Sequence, residues 1–238
     1  ISGIPACLQA GRQKKPLKCN VLPVRTSFGK WRVIDFTLYL ITDRKLFRDR
    51  ASLYTAIEEA MKGGVRAVQL REKDLSIREL LAMAYTMREI TARYGARLFI
   101  NDRVDVALAG GADGVHLGRE SMPVRAVRKI LGGTMMIGAS THGPAEAAIA
   151  ADEGADFVTL GPVYETPSKM RYGAPLGCGV IKEAAKRLSI PVFAIGGIKA
   201  ERVREVREAG AYGIALISAI LTARNIQSSA EEFVRLLK

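Results

Sequence analysis

FTLYLITDR, residues 36–44, is the stretch whose reading decides the fold. Phe36 to Thr42 forms a short apolar strand. The turn after it is Thr42, Asp43 and Arg44, with no glycine. An open, doubly wound sheet that binds a dinucleotide favours a glycine-rich fingerprint after its first strand. Here that fingerprint is absent, so the choice between an open sheet and a closed barrel rests on how often the strand-and-helix unit recurs.

It recurs eight times. Leu53, Ile57, Ala60 and Met61 then follow helical spacing as far as Gly63-Gly64. VRAVQL (65–70) is the second strand, and the helix after it opens on a capping box of Ser76 and Glu79. RLFI leads to a short helix over Val104 to Ala109. ADGVHL, MMIGAS and DFVTLG are strands four to six; Pro123 starts the helix after the fourth, and PAEAAIAADEGA follows the fifth. A long loop runs from Gly161 to about Leu176. The helix GVIKEAAKRL, the strand PVFAIGG, the helix KAERVREVREAG and the strand YGIALIS complete the series. A last helix lies near SAEEFVRLLK, with Ser229 and Glu232 as its expected capping pair. Eight such units predict a single-domain α/β protein, a closed (β/α)8 TIM barrel over residues 35–238.

In such a barrel the chemistry gathers where the strands end. The second strand ends in Gln69, Arg71, Glu72 and Lys73, the third in Asn101, Asp102 and Arg103, and the fourth in His116, Arg119, Glu120 and Ser121. The fifth ends in Ser140, Thr141 and His142; the sixth leads to Thr166, Ser168 and Lys169. The last two give Gly196-Gly197 and Ser218. Helix capping accounts for Ser76 or Ser140, but QLREK and NDR put full charges where a cap needs only a short acceptor. Gly196 and Gly197 leave backbone N–H groups bare and, with Ser218, suggest a phosphate cradle. Arg71, Lys73 and Lys169 would repel one another unless a polyanion joins them, with Thr166 and Ser168 as further donors. The competing expectation is internal salt bridging of Arg71 or Lys73 to Glu72 or Asp102. Asp102, beside Asn101, is the best candidate for Mg²⁺. His116 and His142 match no zinc motif; His116 can equally be a packed core histidine.

Composition agrees. The chain of 238 residues is 48% hydrophobic and 6% aromatic, which suits an α/β enzyme domain. No apolar run is long enough to span a membrane. Cys7, Cys19 and Cys178 are too few and too scattered for a disulfide framework, so a reducing, cytoplasmic compartment is expected. Of the net charge of +12, the stretch 1–34 holds Arg12, Lys14, Lys15, Lys18, Arg25, Lys30 and Arg32, with no acid. That stretch is set apart as a basic extension, flexible or a start-site artefact. The rest shows no basic run interleaved with aromatics, so no nucleic-acid partner is expected.

With these residues in hand, the chain resembles the thiamine phosphate synthase family, a (β/α)8 barrel family. The segments that carry the likeness are GGVRAVQLREK (63–73), NDRVDVALAGGADGVHLG (101–118), GADFVTLGPVYETPSK (154–169), PVFAIGGI (191–198) and GIALISAI (213–220). The resemblance implies a transferase that joins a pyrimidine diphosphate to a thiazole phosphate, with Mg²⁺ as cofactor. It implies that Gln69, Arg71, Lys73 and Asn101 handle the pyrimidine diphosphate and that Asp102 binds Mg²⁺. Thr166, Ser168 and Lys169 would bind phosphate groups, and Gly197 and Ser218 the thiazole phosphate. Arg71, Lys73 and Lys169 are the expected catalytic cations, and Ser140 is a further expected substrate contact. The partners are these small phosphorylated substrates, with a homo-oligomer compatible with them.

One departure stands out. Where the family usually carries a second acidic Mg²⁺ ligand, this chain has Ser121, with Glu120 beside it. Thiazole tautomerases share the barrel, can lack that acid, and use a histidine near the place of His142. Tautomerase is therefore the alternative activity, and a non-catalytic barrel that binds a phosphate ester is the third. The intact LREK and NDR runs and the retained Thr166, Ser168 and Lys169 favour the synthase.

Overall fold

Each buried strand hands the chain to a helix that folds back outside the sheet, and repetition of this step closes a ring. A computed structural model describes residues 23–25, 31–166 and 174–238. A short antiparallel pair comes first, β1 (Pro23–Arg25) and β2 (Trp31–Val33). The barrel strands are β3 (Leu38–Ile41), β4 (Ala67–Leu70), β5 (Arg97–Asn101), β6 (Gly114–Leu117), β7 (Met136–Thr141), β8 (Phe157–Leu160), β9 (Val192–Ile195) and β10 (Gly213–Leu216). Each pairs in parallel with the next, and β10 pairs with β3 to close the barrel. The expected (β/α)8 architecture is what the chain adopts.

The helices are α1 (Arg50–Lys62), α2 (Ile77–Arg93), α3 (Val104–Ala109), α4 (Val124–Leu131), α5 (Pro144–Asp152), α6 (Gly177–Arg187), α7 (Val203–Glu208), α8 (Ser218–Leu221) and α9 (Ile226–Leu236). The capping box of Ser76 and Glu79 forms at the start of α2. The pair Ser229 and Glu232 does not cap α9. That helix starts earlier, at Asn225, whose side chain accepts from the Ser228 amide at 2.9 Å. Asn caps as well as Ser, and the earlier start lets Ile226 pack against the core. Ser229 instead donates to the Ala219 carbonyl at 3.2 Å.

Two apolar layers result. The outer one lies between strands and helices and includes Leu38, Leu40, Val68, Leu98 and Val158. The inner one fills the barrel with Ile34, Phe36, Tyr39, Phe99, Phe157 and Phe193. Its rings meet edge to face, Tyr39 on Phe99 at 5.3 Å and Phe99 on Phe157 at 5.4 Å, the geometry that opposes ring edge to ring face. Gly138 makes room for this: a Cβ there would come within 2.5 Å of Phe157 and 2.6 Å of His116. Ile34 closes the end where the strands begin, and its carbonyl accepts from the Tyr212 hydroxyl at 2.5 Å. Among the described residues, no helix is long and apolar enough to cross a membrane.

Candidate active site

Parallel strands put all eight carboxyl ends on one rim, so Gln69, Asn101 and Ser140, in the last two residues of their strands, and Arg71, Lys73, Asp102, Thr166, Gly197 and Ser218, beyond strand ends, come on the same side of the barrel. Ser168 and Lys169 lie outside the described residues.

Beneath the rim runs a buried polar chain that links five strands. Gln69 Nε2 donates to the Tyr39 hydroxyl at 3.1 Å. That hydroxyl lies 3.4 Å from His116 Nδ1, and His116 Nε2 lies 3.0 Å from Ser140 Oγ. Thr159 Oγ1 closes the group, 3.4 Å from His116 Nε2 and 3.5 Å from Ser140 Oγ. Burial, and secondarily the positive charge of Arg71, lower the His116 pKa to about 3. The imidazole is therefore neutral at physiological pH and can donate at one nitrogen while accepting at the other. His116 is thus a hydrogen-bonded core histidine that also reaches the rim through Ser140. Tyr39 and Thr159 are absent from the sequence-based site. The one signal for them was a hydroxyl at an inward position of an otherwise apolar strand.

The charges of the second strand end part company. Glu72 is buried and turns toward the loop after β3. It accepts from Thr42 Oγ1 at 2.7 Å and from the Arg44 amide at 3.1 and 3.2 Å, with the Arg44 guanidinium 3.7 Å away. Burial raises its pKa, against the hydrogen bonds that lower it. Thr42 Oγ1 also accepts from the Arg71 amide at 2.9 Å. The expectation that Arg71 or Lys73 would bridge to Glu72 or Asp102 therefore fails: Glu72 is committed to Thr42 and Arg44. Among the described residues, no carboxylate forms an ion pair with Arg71 or Lys73.

Lys73, Asn101 and Asp102 line a cleft of about 280 Å³ with Glu72, Arg103 and the apolar side chains of Leu75, Ile77 and Leu80. Asp102 sits in a turn closed by the Arg103 amide on the Asn101 carbonyl at 2.7 Å, and its own amide bonds the His116 carbonyl at 2.9 Å. Its φ is +67°, the left-handed region that non-glycine residues avoid. Asp tolerates it better than most, and such strain concentrates at functional sites. The side chain of Asp102 is exposed, while Arg103 is paired with Asp105. Among the described residues, no three His, Cys, Asp or Glu side chains cluster as a metal site.

Ser121 serves the turn after β6. Its Oγ accepts from the Gly118 amide at 2.7 Å, and its amide donates back to the Gly118 carbonyl at 3.1 Å. It does not cap α4, where Pro123 precedes the first turn without a side-chain bond. Glu120 is exposed. His142 is also exposed, with its amide 2.9 Å and its Nδ1 3.3 Å from Glu146 Oε2.

Across the rim, Gly196 and Gly197 have φ of +99° and +65°. A Cβ on Gly197 would lie 2.5 Å from the Glu165 carbonyl oxygen and 2.8 Å from Tyr164 Cβ, so only glycine fits against the loop after β8. Among the described residues, no backbone carbonyl accepts from the amide of Gly197 or Ser218.

This architecture can be set beside known proteins. A family model described as thiamine monophosphate synthase matches residues 38–220, from the first residue of β3 into α8. The chain belongs to the thiamine monophosphate synthase family. A relative from Geobacter sulfurreducens is 53% identical over 204 residues, covering 86% of this chain and 95% of its own. The thiamine-phosphate synthase of Clostridium novyi is 44% identical over 198 residues, covering 83% and 97%. Among solved structures, a thiamine phosphate pyrophosphorylase from Pyrococcus furiosus superposes with a TM-score of 0.78 at 38% identity, covering 85% of this chain and 95% of that one. Family membership thus extends over the whole barrel rim, including every strand end described above.

Proposed function

We infer that the protein is a thiamine phosphate synthase, a transferase that couples hydroxymethylpyrimidine diphosphate with hydroxyethylthiazole phosphate and releases diphosphate. The observation that carries this beyond family membership is the pair Arg71 and Lys73. They stand at one strand end without a carboxylate partner among the described residues, while the intervening Glu72 is bound elsewhere. Two uncompensated cations suit a diphosphate better than a single phosphate.

In the reaction, the bond between the pyrimidine methylene and the diphosphate oxygen breaks, and its electron pair leaves with diphosphate. The electron-rich pyrimidine stabilises the cationic methylene. The thiazole nitrogen then donates its lone pair to that carbon, so a C–N bond replaces a C–O bond and the ring becomes a thiazolium. No proton is transferred, and no protein nucleophile is needed. Arg71, Lys73 and Lys169 oppose the charge that grows on the leaving diphosphate, and Thr166 and Ser168 add donors. Gln69, Asn101 and Ser140 hold the pyrimidine diphosphate substrate. Gly197 and Ser218 bind the thiazole phosphate and so keep the nitrogen near the methylene. Neutral His116 fixes Ser140 and, through Tyr39, Gln69.

Mg²⁺ fits this rim through a small protein donor set. Asp102 supplies one exposed carboxylate beside Asn101, and the Ser121 hydroxyl or Glu120 are the nearest sequence candidates to add to it. One carboxylate with substrate phosphate oxygens and waters is an ordinary set for this ion. When bound, the ion neutralises charge on the diphosphate.

Incubation with both phosphorylated substrates and Mg²⁺ should yield thiamine phosphate and diphosphate in equal amounts. Binding of both without product formation would point to the non-catalytic barrel. Turnover of a thiazole carboxylate phosphate instead would point to the tautomerase.

A further inference from the structure

We propose that Arg202 is a positioning residue: together with Tyr164 it orients the backbone amides of the Gly196–Ile198 turn toward the phosphate. The proposal rests on the synthase reading for the identity of that phosphate, and on geometry for the rest.

Two successive peptide groups in this turn have their carbonyls held from outside. The Gly196 carbonyl accepts from the Tyr164 amide at 3.1 Å. The Gly197 carbonyl accepts from a terminal nitrogen of Arg202 at 2.7 Å. In a trans peptide the N–H points opposite to the C=O. Holding these two carbonyls therefore turns the N–H groups of Gly197 and Ile198 the other way. Among the described residues, neither amide has a backbone acceptor. Two adjacent N–H groups aimed at one side make an anion-binding concavity.

Arg202 is itself held. Its guanidinium lies 4.3 Å from the centre of the Tyr164 ring, within the range of a cation–π contact. The tip of the same ring is anchored to the same helical stretch, since the Tyr164 hydroxyl donates to Glu205 Oε2 at 2.7 Å, and it also lies 3.3 Å from Cys178 Sγ on α6. Tyr164 begins the approach to Thr166, so the clamp joins the base of the long loop to the glycine turn. A flat guanidinium can stack and donate at once; an ammonium cannot match both contacts. The Arg202 charge is thus spent on a carbonyl and a ring, and its service to the phosphate passes through the turn.

The test compares Arg202→Met, Arg202→Lys and Tyr164→Phe with the parent. Loss of one hydrogen bond that orients a charged-group contact should raise KM for the thiazole phosphate about tenfold in Arg202→Met. KM for the pyrimidine diphosphate should stay unchanged, and kcat should change less. Arg202→Lys should fall between parent and Met, whereas a role through net charge alone would leave it like the parent. Tyr164→Phe keeps the ring and the amide, so its effect should be the smallest. Inorganic phosphate affinity, followed by ³¹P NMR with inorganic diphosphate present to fill the other anion site, should weaken in the same order. A parent that makes no thiamine phosphate, with phosphate affinity still falling in this order, would sink the synthase reading and leave the positioning role standing. Unchanged phosphate affinity in Arg202→Met would overturn the positioning role, whether or not the parent is active. If Arg202→Met does not fold, Arg202→Lys decides alone: phosphate affinity equal to the parent's overturns the proposal.

Discussion

Two groups of cations at opposite ends of the barrel are treated in opposite ways, although other rim arginines, Arg44 and Arg103, do have carboxylate partners. At the end where strands begin, Arg128, Arg88 and Arg97 are matched by carboxylates. Arg128 bonds Asp156 at 2.6 Å and reaches the carbonyls of Gly132, Met135 and Gly154; both side chains are almost completely buried. Arg88 and Arg97 share Asp113, and Arg97 also holds Asp35. At the end where strands stop, Arg71 and Lys73 have no carboxylate among the described residues, although Glu72 stands between them in sequence. Charge that is already matched holds the fold together; charge left unmatched is available to a ligand. Stability and chemistry are therefore separable by position on this barrel.

Asp156→Ala tests the matched end most severely. It leaves the buried Arg128 guanidinium without its carboxylate and the Ile137 amide without its acceptor at 2.7 Å. Breaking such a pair should cost about 3–5 kcal/mol in denaturant unfolding, while KM values of the remaining folded enzyme stay near those of the parent. A loss below about 1 kcal/mol would place Arg128 among ordinary surface ion pairs.

Lys73→Ala tests the other end, with the opposite signature. Turnover should fall by about 3 kcal/mol, on the order of a hundredfold, with the unfolding midpoint unchanged. Equal turnover at saturating substrates would show Lys73 to be merely solvated.

The third prediction uses the polar chain between the two ends. The folded-state pKa of His116 is lowered to about 3, whereas the unfolded chain takes up a proton near pH 6.5. Unfolding therefore binds a proton as pH falls through that value, and stability is lost on the acid side. Between pH 7 and pH 5 the loss due to His116 should be about 2 kcal/mol. In His116→Gln this contribution should vanish from the pH dependence of unfolding. A parent and variant with parallel pH profiles would mean that the imidazole is protonated in the fold.

The smallest effect is expected at Ser121. Ser121→Asp adds a carboxylate on the rim and still offers an acceptor to the Gly118 amide. Calorimetry should find tighter Mg²⁺ binding to the free protein, by about 1 kcal/mol, and little change in turnover, because stronger ground-state binding does not lower the chemical barrier. Asp102→Ala should abolish metal binding in either background. Metal affinity indifferent to both substitutions would remove Mg²⁺ from this part of the rim.

Much of this architecture was legible in the sequence because its signals are local. Strand and helix periods, the capping box at Ser76 and the glycine stops depend on residues within a few positions, and their eightfold recurrence determined the barrel. The barrel in turn put QLREK, NDR, AIGG and Ser218 on one rim, since parallel strands all end on the same side. What only the tertiary structure decided are choices between partners far apart in the chain. Glu72 could serve Lys73 one residue away or Thr42 thirty residues back, and packing of the first two loops buries it on Thr42 and Arg44. Tyr39, Gln69, His116 and Ser140 come from four strands, and barrel closure alone brings their polar atoms within reach. Arg202 lay in an ordinary amphipathic stretch until the loop carrying Tyr164 was folded over Gly197. Residue type records what a side chain can do; once burial removes water as a partner, only proximity in the folded chain decides which bond it makes.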